Sequence, residues 1–219
     1  MLKRDRLRFE KVYERLMEAY GPQHWWPADS PFEVMVGAIL TQNTNWSNVE
    51  RALENLKARS DLDARQILGH EHEVLAEYLK PSGYFNVKAV RLRTFCAWYI
   101  EQGGFDALKA RPTDQLRREL LAIKGIGPET ADDILLYAFE RPVFVIDAYT
   151  RRIFSRLGLV PEEQSYEQLR TIFEEALGPE VDLYNEYHAL IVRHSKMYCR
   201  PAPICGACPL KRQCHYDES

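Results

Sequence analysis

Ile123-Lys124-Gly125-Ile126-Gly127-Pro128-Glu129-Thr130-Ala131 is the stretch on which the reading of the fold turns. Ahead of it, Pro112-Thr113 opens a helical pattern that runs to Ala122. Behind it, residues 129–139 put Ala131, Ile134, Leu135, Ala138 and Phe139 on one helical stripe. Two helices joined by Lys-Gly-Ile-Gly-Pro make a hairpin. Glycine takes backbone angles closed to other residues. Without a side chain its N–H can come close to a phosphate, where the positive end of the next helix adds attraction. Such a turn grips nucleic-acid backbone without reading sequence. The same residues also fit a plain αα-turn with glycine at the helix C-cap.

Outward from the hairpin the chain reads as almost entirely helical. Residues 5–20 place Leu7, Val12, Leu16, Met17 and Tyr20 at helical spacing, and Gly21-Pro22 stops them. Ser30-Pro31-Phe32-Glu33 is a capping box with proline at the first helical position. The helix it opens, residues 32–41, is apolar nearly all round, which predicts a buried central helix. Further helices are expected over 47–58, in two short pieces over 63–80, and over 86–102, closed by Gly103-Gly104. Ser165-x-x-Gln168 is a second capping box, with its helix ending at Gly178-Pro179. A last long helix covers 182–197. Residues 143–146 form a short apolar run, and periodicity does not separate strand from buried extended chain there. No internal repeat, low-complexity tract or flexible linker interrupts the pattern.

The 219 residues suit one large domain or two packed lobes. Apolar residues make up 46% and charged residues 28%, an ordinary globular mix. The charged N-terminal opening leads into no signal-peptide core, and no run approaches the ~18 apolar residues of a membrane span. A cytosolic or nucleoid-associated protein is expected. The net charge of −3 supplies no overall electrostatic argument for nucleic acid, so any DNA reading rests on local surface and on the backbone of the hairpin.

Four of the five cysteines fall in one terminal segment, Cys199-x5-Cys205-x2-Cys208-x5-Cys214. A secreted disulfide framework would spread its cysteines, so this cluster reads as a metal site in a reducing compartment. Four thiolates suit an iron–sulfur cluster or a structural zinc, and the spacing alone does not separate them. Either group would be fully coordinated, hence structural or electronic. Cys96 lies in an apolar helix and reads as a core residue. Asp147 follows the apolar run 143–146. As an isolated acid it fits a helix N-cap, or a carboxylate set beside the positive charge of glycosidic cleavage. Trp25-Trp26-Pro27 and Trp46 read as core aromatics or as a stacking box for an extruded base. Gln42-Asn43-Thr44-Asn45 reads as a solvated turn or as side chains that fill the gap left in a duplex.

In their order along the chain these pieces resemble the endonuclease III superfamily of helix-hairpin-helix DNA glycosylases, from about Pro31 to Cys214. The matching segments are Leu40-Thr-Gln-Asn-Thr44, Gly83-Tyr-Phe-Asn-Val-Lys88-Ala, Ile123-Lys-Gly-Ile-Gly127 followed by Thr130-Ala131, Val145-Ile-Asp147, and Tyr187 through Cys199. The resemblance implies an all-α, two-lobe fold. One lobe is a six-helix barrel with the hairpin, residues 29–138. The other joins residues 1–28 to 139–219 and holds a [4Fe–4S] cluster on Cys199, Cys205, Cys208 and Cys214. The active site is then expected in the cleft between lobes. Asp147 and Glu129 occupy the catalytic positions, Gln42 enters the space of the flipped nucleotide, and Asn43, Lys124, Gly125, Gly127 and Thr130 contact DNA.

Two departures from the family pattern carry consequences. The first cluster spacing is five where the best-known members have six, a one-residue loop change that still reaches the cluster. Bifunctional members carry a lysine directly before Thr-Ala, the Schiff-base nucleophile that leads to strand cleavage. Here that residue is Glu129, which cannot form an imine. Glu129, Gln23-His-Trp-Trp26-Pro and Leu40-Thr-Gln-Asn-Thr-Asn-Trp46 resemble the bacterial 3-methyladenine glycosylases of the superfamily, in which aromatics matching Trp26 and Trp46 sandwich the alkylated base and a lysine matching Lys196 lies in the active site. The best-known member of that subgroup lacks the cluster cysteines. A cationic base such as N3-methyladenine suits two indole faces, at ~0.5–2 kcal/mol per ring. The resemblance therefore implies a monofunctional, monomeric glycosylase acting on damaged double-stranded DNA. Its rivals are a bifunctional glycosylase and lyase for oxidised pyrimidines, a non-catalytic iron–sulfur DNA-binding or redox-sensing protein, and a zinc-containing binding module.

Overall fold

The computed structural model describes residues 3–161 and 163–216, with side chains from Arg6 onward. Met1 and Leu2 of the charged opening and the last three residues of the terminal lobe lie outside the described residues. Among the described residues the regular structure is helical, with no strand. In order these helices are α1 (Lys3–Tyr20), α2 (Pro31–Leu40), α3 (Trp46–Ser60), α4 (Ala64–Gly69), α5 (His72–Leu79), α6 (Phe85–Glu101), α7 (Gly104–Lys109), α8 (Thr113–Ala122), α9 (Pro128–Asp133), α10 (Ala148–Arg156), α11 (Tyr166–Leu177) and α12 (Val181–Met197). No helix among them is long and apolar enough to cross a membrane.

The chain folds as two compact units. One is Ala28–Arg141. The other joins the residues up to Pro27 to those from Pro142 onward. In the first unit α2 is the central element, and all its residues from Val34 to Leu40 are buried. It packs against α3, α6 and the turn after α9. Each of its larger side chains gains roughly 1.5–3 kcal/mol from leaving water. The start of α2 is only half the expected capping box. Ser30 Oγ accepts the Glu33 N–H at 3.2 Å, but Glu33 Oε2 accepts from Asp29 N–H at 2.9 Å, one residue before the cap. Lys57 Nζ meets the other oxygen of the buried Glu33 at 2.6 Å. The end of α2 is held by a buried lysine. Lys88 Nζ donates to Leu40 O at 2.8 Å and to Ser82 O at 2.6 Å, while burial brings its pKa down to about 8. The second unit has an aromatic core. Phe9, Phe144, Phe154 and Phe173 pack ring to ring, with Phe144 and Phe173 stacked at 4.4 Å, and Tyr187 OH donates to Phe9 O at 2.8 Å.

Three local features go beyond the sequence pattern. The inner face of α1 is Phe9, Val12 and Leu16, whereas Leu7 is 48% exposed. The helix expected over 129–139 changes to a π-helical turn at Ile134–Ala138, where Phe139 N–H reaches back to Ile134 O at 3.2 Å and the Phe139 ring stacks on Phe105 at 5.1 Å. A single wider turn leaves no mark on a 3.6-residue stripe. After the Gly103-Gly104 break the chain re-enters helix as α7, whose six residues are too few for periodicity to register. Residues 143–146 are buried chain outside any helix or strand. Ser165 forms the full capping box with Gln168, and Gly178 closes α11 with φ +77°.

Candidate active site

The hairpin connects α8 to α9 through a turn closed by Ile126 N–H on Ile123 O at 3.0 Å. Its two glycines differ. Gly125 has φ +97°, and a Cβ there would come within 2.6 Å of Arg91 Cγ, so both conformation and space demand glycine. Gly127 has φ −92° and open space around it, so the angle requirement expected of it does not hold. What Gly127 supplies is bare, exposed backbone. No side chain caps α9, which leaves first-turn N–H groups for an anion. Lys124, Gly127, Pro128 and Glu129 are exposed, while Ile126 and Thr130 anchor the turn by burial.

Gln42, in the turn after α2, is tied to this hairpin. Its Nε2 donates to Gly125 O at 3.1 Å and to Thr130 Oγ1 at 2.9 Å, and its Oε1 accepts from Arg91 Nη1. The amide thus uses both donor hydrogens and its acceptor. Arg91, whose stem lies on Gly125, is the residue of this network that sequence reading passed over. Asn43 is exposed with φ +55°. Asn45 caps α3 by accepting Asn48 N–H at 3.1 Å. Trp46, the first residue of α3, is half-buried, and its Nε1 donates to Glu50 Oε1 at 2.9 Å. Behind the hairpin, Asp132 is fully buried and bidentate to Arg117, at 2.7 and 3.1 Å.

In the other unit Asp147 is the N-cap of α10, its Oδ1 accepting Thr150 N–H at 2.6 Å. It is 9% exposed. Its Oδ2 faces His188 Nε2 of α12 at 3.5 Å. Burial on its own pushes this carboxyl up, but hydrogen bonding and charge from His188 and the N–H of Thr150 outweigh it and hold it below the ordinary carboxylate range. Of the two readings of Asp147, the helix cap is present, in a carboxylate that is also buried. Trp25 and Trp26 are half-buried, with their rings edge-to-face at 5.9 Å. Lys196 is exposed in the last turn of α12, where the helix dipole favours a cation.

All four terminal cysteines line one cavity of about 230 Å³, together with apolar groups such as Ile153, Leu157 and Leu210. The five-residue spacing after Cys199 does not keep that residue out. Arg156 Nη1 donates to Cys199 Sγ at 3.4 Å, and His194 Nε2 lies 3.7 Å from Cys208 Sγ, with His194 Nδ1 paired to Tyr20 OH at 2.8 Å. Burial, with the neighbouring Cys199 and Cys214, pushes the Cys208 thiol up. Four cysteines lining one cavity are the residue type that suits a group taking thiolate ligands. Among the described residues no three His, Cys, Asp or Glu side chains are gathered to hold a single metal ion. Cys96 is fully buried, which pushes its thiol up to about 12 and keeps it inert.

Residues 36–179 match the model of the HhH-GPD superfamily of base excision DNA repair proteins. The chain is 48% identical to a Methanocaldococcus jannaschii protein named "Putative DNA repair glycosylase MJ1434", over 93% of this chain and 94% of that one. Among solved structures it resembles an H. pylori 3-methyladenine DNA glycosylase (MagIII) bound to 1,N6-ethenoadenine, with TM-score 0.74, 32% identity, and coverage of 88% of this chain and 97% of that one. It shares its fold with an endonuclease III in a non-covalent DNA complex, at TM-score 0.82 and 20% identity, over 98% and 96% of the two chains. The chain belongs to the HhH-GPD superfamily, as a DNA repair glycosylase of the endonuclease III family.

Proposed function

We propose that this glycosylase is monofunctional and releases alkylated bases such as 3-methyladenine from double-stranded DNA by hydrolysis. The observation that carries the reading is Glu129, exposed at the head of the hairpin helix, where a lyase needs an amine. With no imine formed there, water is the nucleophile. The C1′–N bond breaks and its electron pair leaves with the base. Asp147 stabilises the positive charge on the sugar, and the water oxygen bonds C1′ as its proton passes to the carboxylate. A base methylated at N3 is already cationic and leaves as a neutral molecule, so the reaction needs little acid catalysis. Trp26 and Trp46 offer indole faces that favour a cation over its neutral parent. Lys196 is a third candidate contact to the base. Gly125, Gly127 and Lys124 bind phosphate, with Gln42, Asn43 and Thr130 beside them. The likeness to a 3-methyladenine glycosylase supports this substrate class.

The four cysteines would hold a [4Fe–4S] cluster. A single tetrahedral zinc sits at ~2.3 Å from each of its sulfurs, whereas a cluster is larger, and the four cysteines are among the residues lining a cavity of about 230 Å³. When bound, the cluster supplies the cationic charge that four thiolates require, and Arg156 and His194 address two of its sulfurs. The protein acts as a monomer in the cytoplasm, at the nucleoid.

The test is base release from randomly methylated duplex DNA, with strand nicking followed in the same tubes. Release of 3-methyladenine without nicking, and without borohydride trapping on abasic DNA, is expected. Nicking or trapping would overturn the monofunctional reading in favour of a lyase using another amine, with Lys124 of the same turn the first to replace. DNA binding with neither release nor nicking would point to a non-catalytic protein.

A further inference from the structure

A buried carboxylate that must take a proton from water has to be charged beforehand and aimed in one direction. At Asp147 one oxygen is committed to its own helix, since Oδ1 accepts Thr150 N–H at 2.6 Å. The second oxygen decides what the group can do, and it meets a side chain from another helix. His188 lies midway along α12, within a segment where Tyr187, Ala189, Leu190, Ile191 and Val192 are all buried. It is 6% exposed, and its Nε2 stands 3.5 Å from Asp147 Oδ2. α10 and α12 pack directly against each other, so neither side chain is free to wander from this meeting.

An imidazole is an unusual side chain for a position so deep among apolar neighbours, and packing alone would favour a leucine. A lysine or arginine at the same place would lock both oxygens in a permanent ion pair. Histidine offers one N–H on a rigid ring, and catalytic hydrogen bonds that are long in a free enzyme often shorten in its substrate complex. Resting on the reading of Asp147 as the carboxylate that receives the proton of water, we infer that His188 is its positioning residue. The Nε2–H of His188 donates to Oδ2, fixes the carboxylate rotamer and keeps the group negative until the sugar develops charge. The ring carrying its proton on Nε2 is the form that performs this role. In agreement, His188 is the largest of the influences that offset burial at Asp147.

The experiment uses the full-length, cluster-loaded protein on randomly methylated duplex DNA. It compares His188→Leu, His188→Gln, His188→Asn and Asp147→Asn. Single-turnover base release is followed from acid to neutral pH, beside affinity for an abasic-site duplex. Leucine removes the donor. Glutamine places an N–H near the position of Nε2, and asparagine falls short of it. His188→Leu is expected to slow release by about 10- to 100-fold with affinity unchanged. It should also bring in an acid limb absent from the wild type, because the Thr150 N–H alone then opposes the upward push of burial on Asp147. His188→Gln should restore most of the rate and His188→Asn should not. If the leucine variant fails to fold, by melting and by visible absorption, the glutamine–asparagine pair decides. Equal rates and equal acid limbs for those two overturn the inference. Wild-type rates in His188→Leu, with Asp147→Asn inactive, overturn it while leaving the reading of Asp147 standing. Full activity of Asp147→Asn removes that reading itself.

Discussion

Asp132, behind the hairpin, and Asp147, at the head of α10, are both buried aspartates, and their surroundings give them different work. Asp132 has no exposed surface and meets the fork of Arg117 with both oxygens, at 2.7 and 3.1 Å. A guanidinium never gives up its proton, so this carboxylate is permanently neutralised and serves to hold the hairpin in place. Asp147 has one oxygen on a backbone N–H and the other 3.5 Å from an imidazole. It keeps its charge but retains an oxygen that can accept. A buried acid therefore becomes available for chemistry when its partner is a single, adjustable donor, and becomes structural when its partner is a bidentate cation.

Replacing each aspartate by asparagine tests that contrast most directly. Asp147→Asn should lower single-turnover base release by about 10²- to 10⁴-fold, with melting little changed because asparagine also caps helices. Asp132→Asn should do the reverse. It removes the charge from the bidentate pair with the part-buried Arg117 and should cost about 1–3 kcal/mol in denaturant titrations, while the folded fraction excises normally. If Asp132→Asn lost rate without losing stability, the assignment of the two roles would be wrong.

The pH dependence follows from the same comparison. The Asp147 carboxyl is depressed in the folded protein. The stability it contributes is thus present above its unfolded value of about 3.9 and is lost as pH falls through the lower folded value. Excision by the wild type should therefore show no acid limb from this group above pH ~4. A limb near neutrality would mean that another group carries the reaction.

The two hairpin glycines give the smaller effects. Gly125→Ala forces an L residue to φ +97° and drives its Cβ against Arg91. It should cost roughly 1–2 kcal/mol and, by displacing Arg91, loosen Gln42 as well. Gly127→Ala meets open space at an ordinary angle. Its melting should stay within about 0.5 kcal/mol of wild type, with a loss confined to DNA affinity. If both variants lost stability and affinity together, the separation between the anchoring half of the turn and its binding half would fail.

Much of the architecture was legible in the chain because its signals are local. The apolar residues of α2 announced a buried helix, and Ser165 with Gln168 announced a helix start. The Cys-x5-Cys-x2-Cys-x5-Cys run announced four cysteines that the fold brings to one cavity. Asp147 was visible as an acid after an apolar run, yet it read equally well as a cap. Arg91 carried no signal at all, since its importance lies in touching Gly125 and Gln42, which are far from it in sequence. His188 sat unnoticed inside a matching segment for the same reason. Leu7 was grouped with the apolar residues at helical spacing, yet it is exposed and Phe9 takes the buried position.

The amino-acid sequence by itself determined the helical class, the hairpin, the grouping of four cysteines near one end and the absence of an amine at position 129, because each of these follows from residue type, period or spacing along a few turns of chain. Which glycine is obligatory, which buried aspartate is paired with a guanidinium and which with a backbone N–H and an imidazole, and which histidine stands at its second oxygen were decided by tertiary structure. Those properties depend on distances of 2.6 to 3.5 Å between side chains, or between a side chain and backbone, brought together from different segments. Only packing sets such distances, since hydrogen bonding and desolvation act through space and not along the chain.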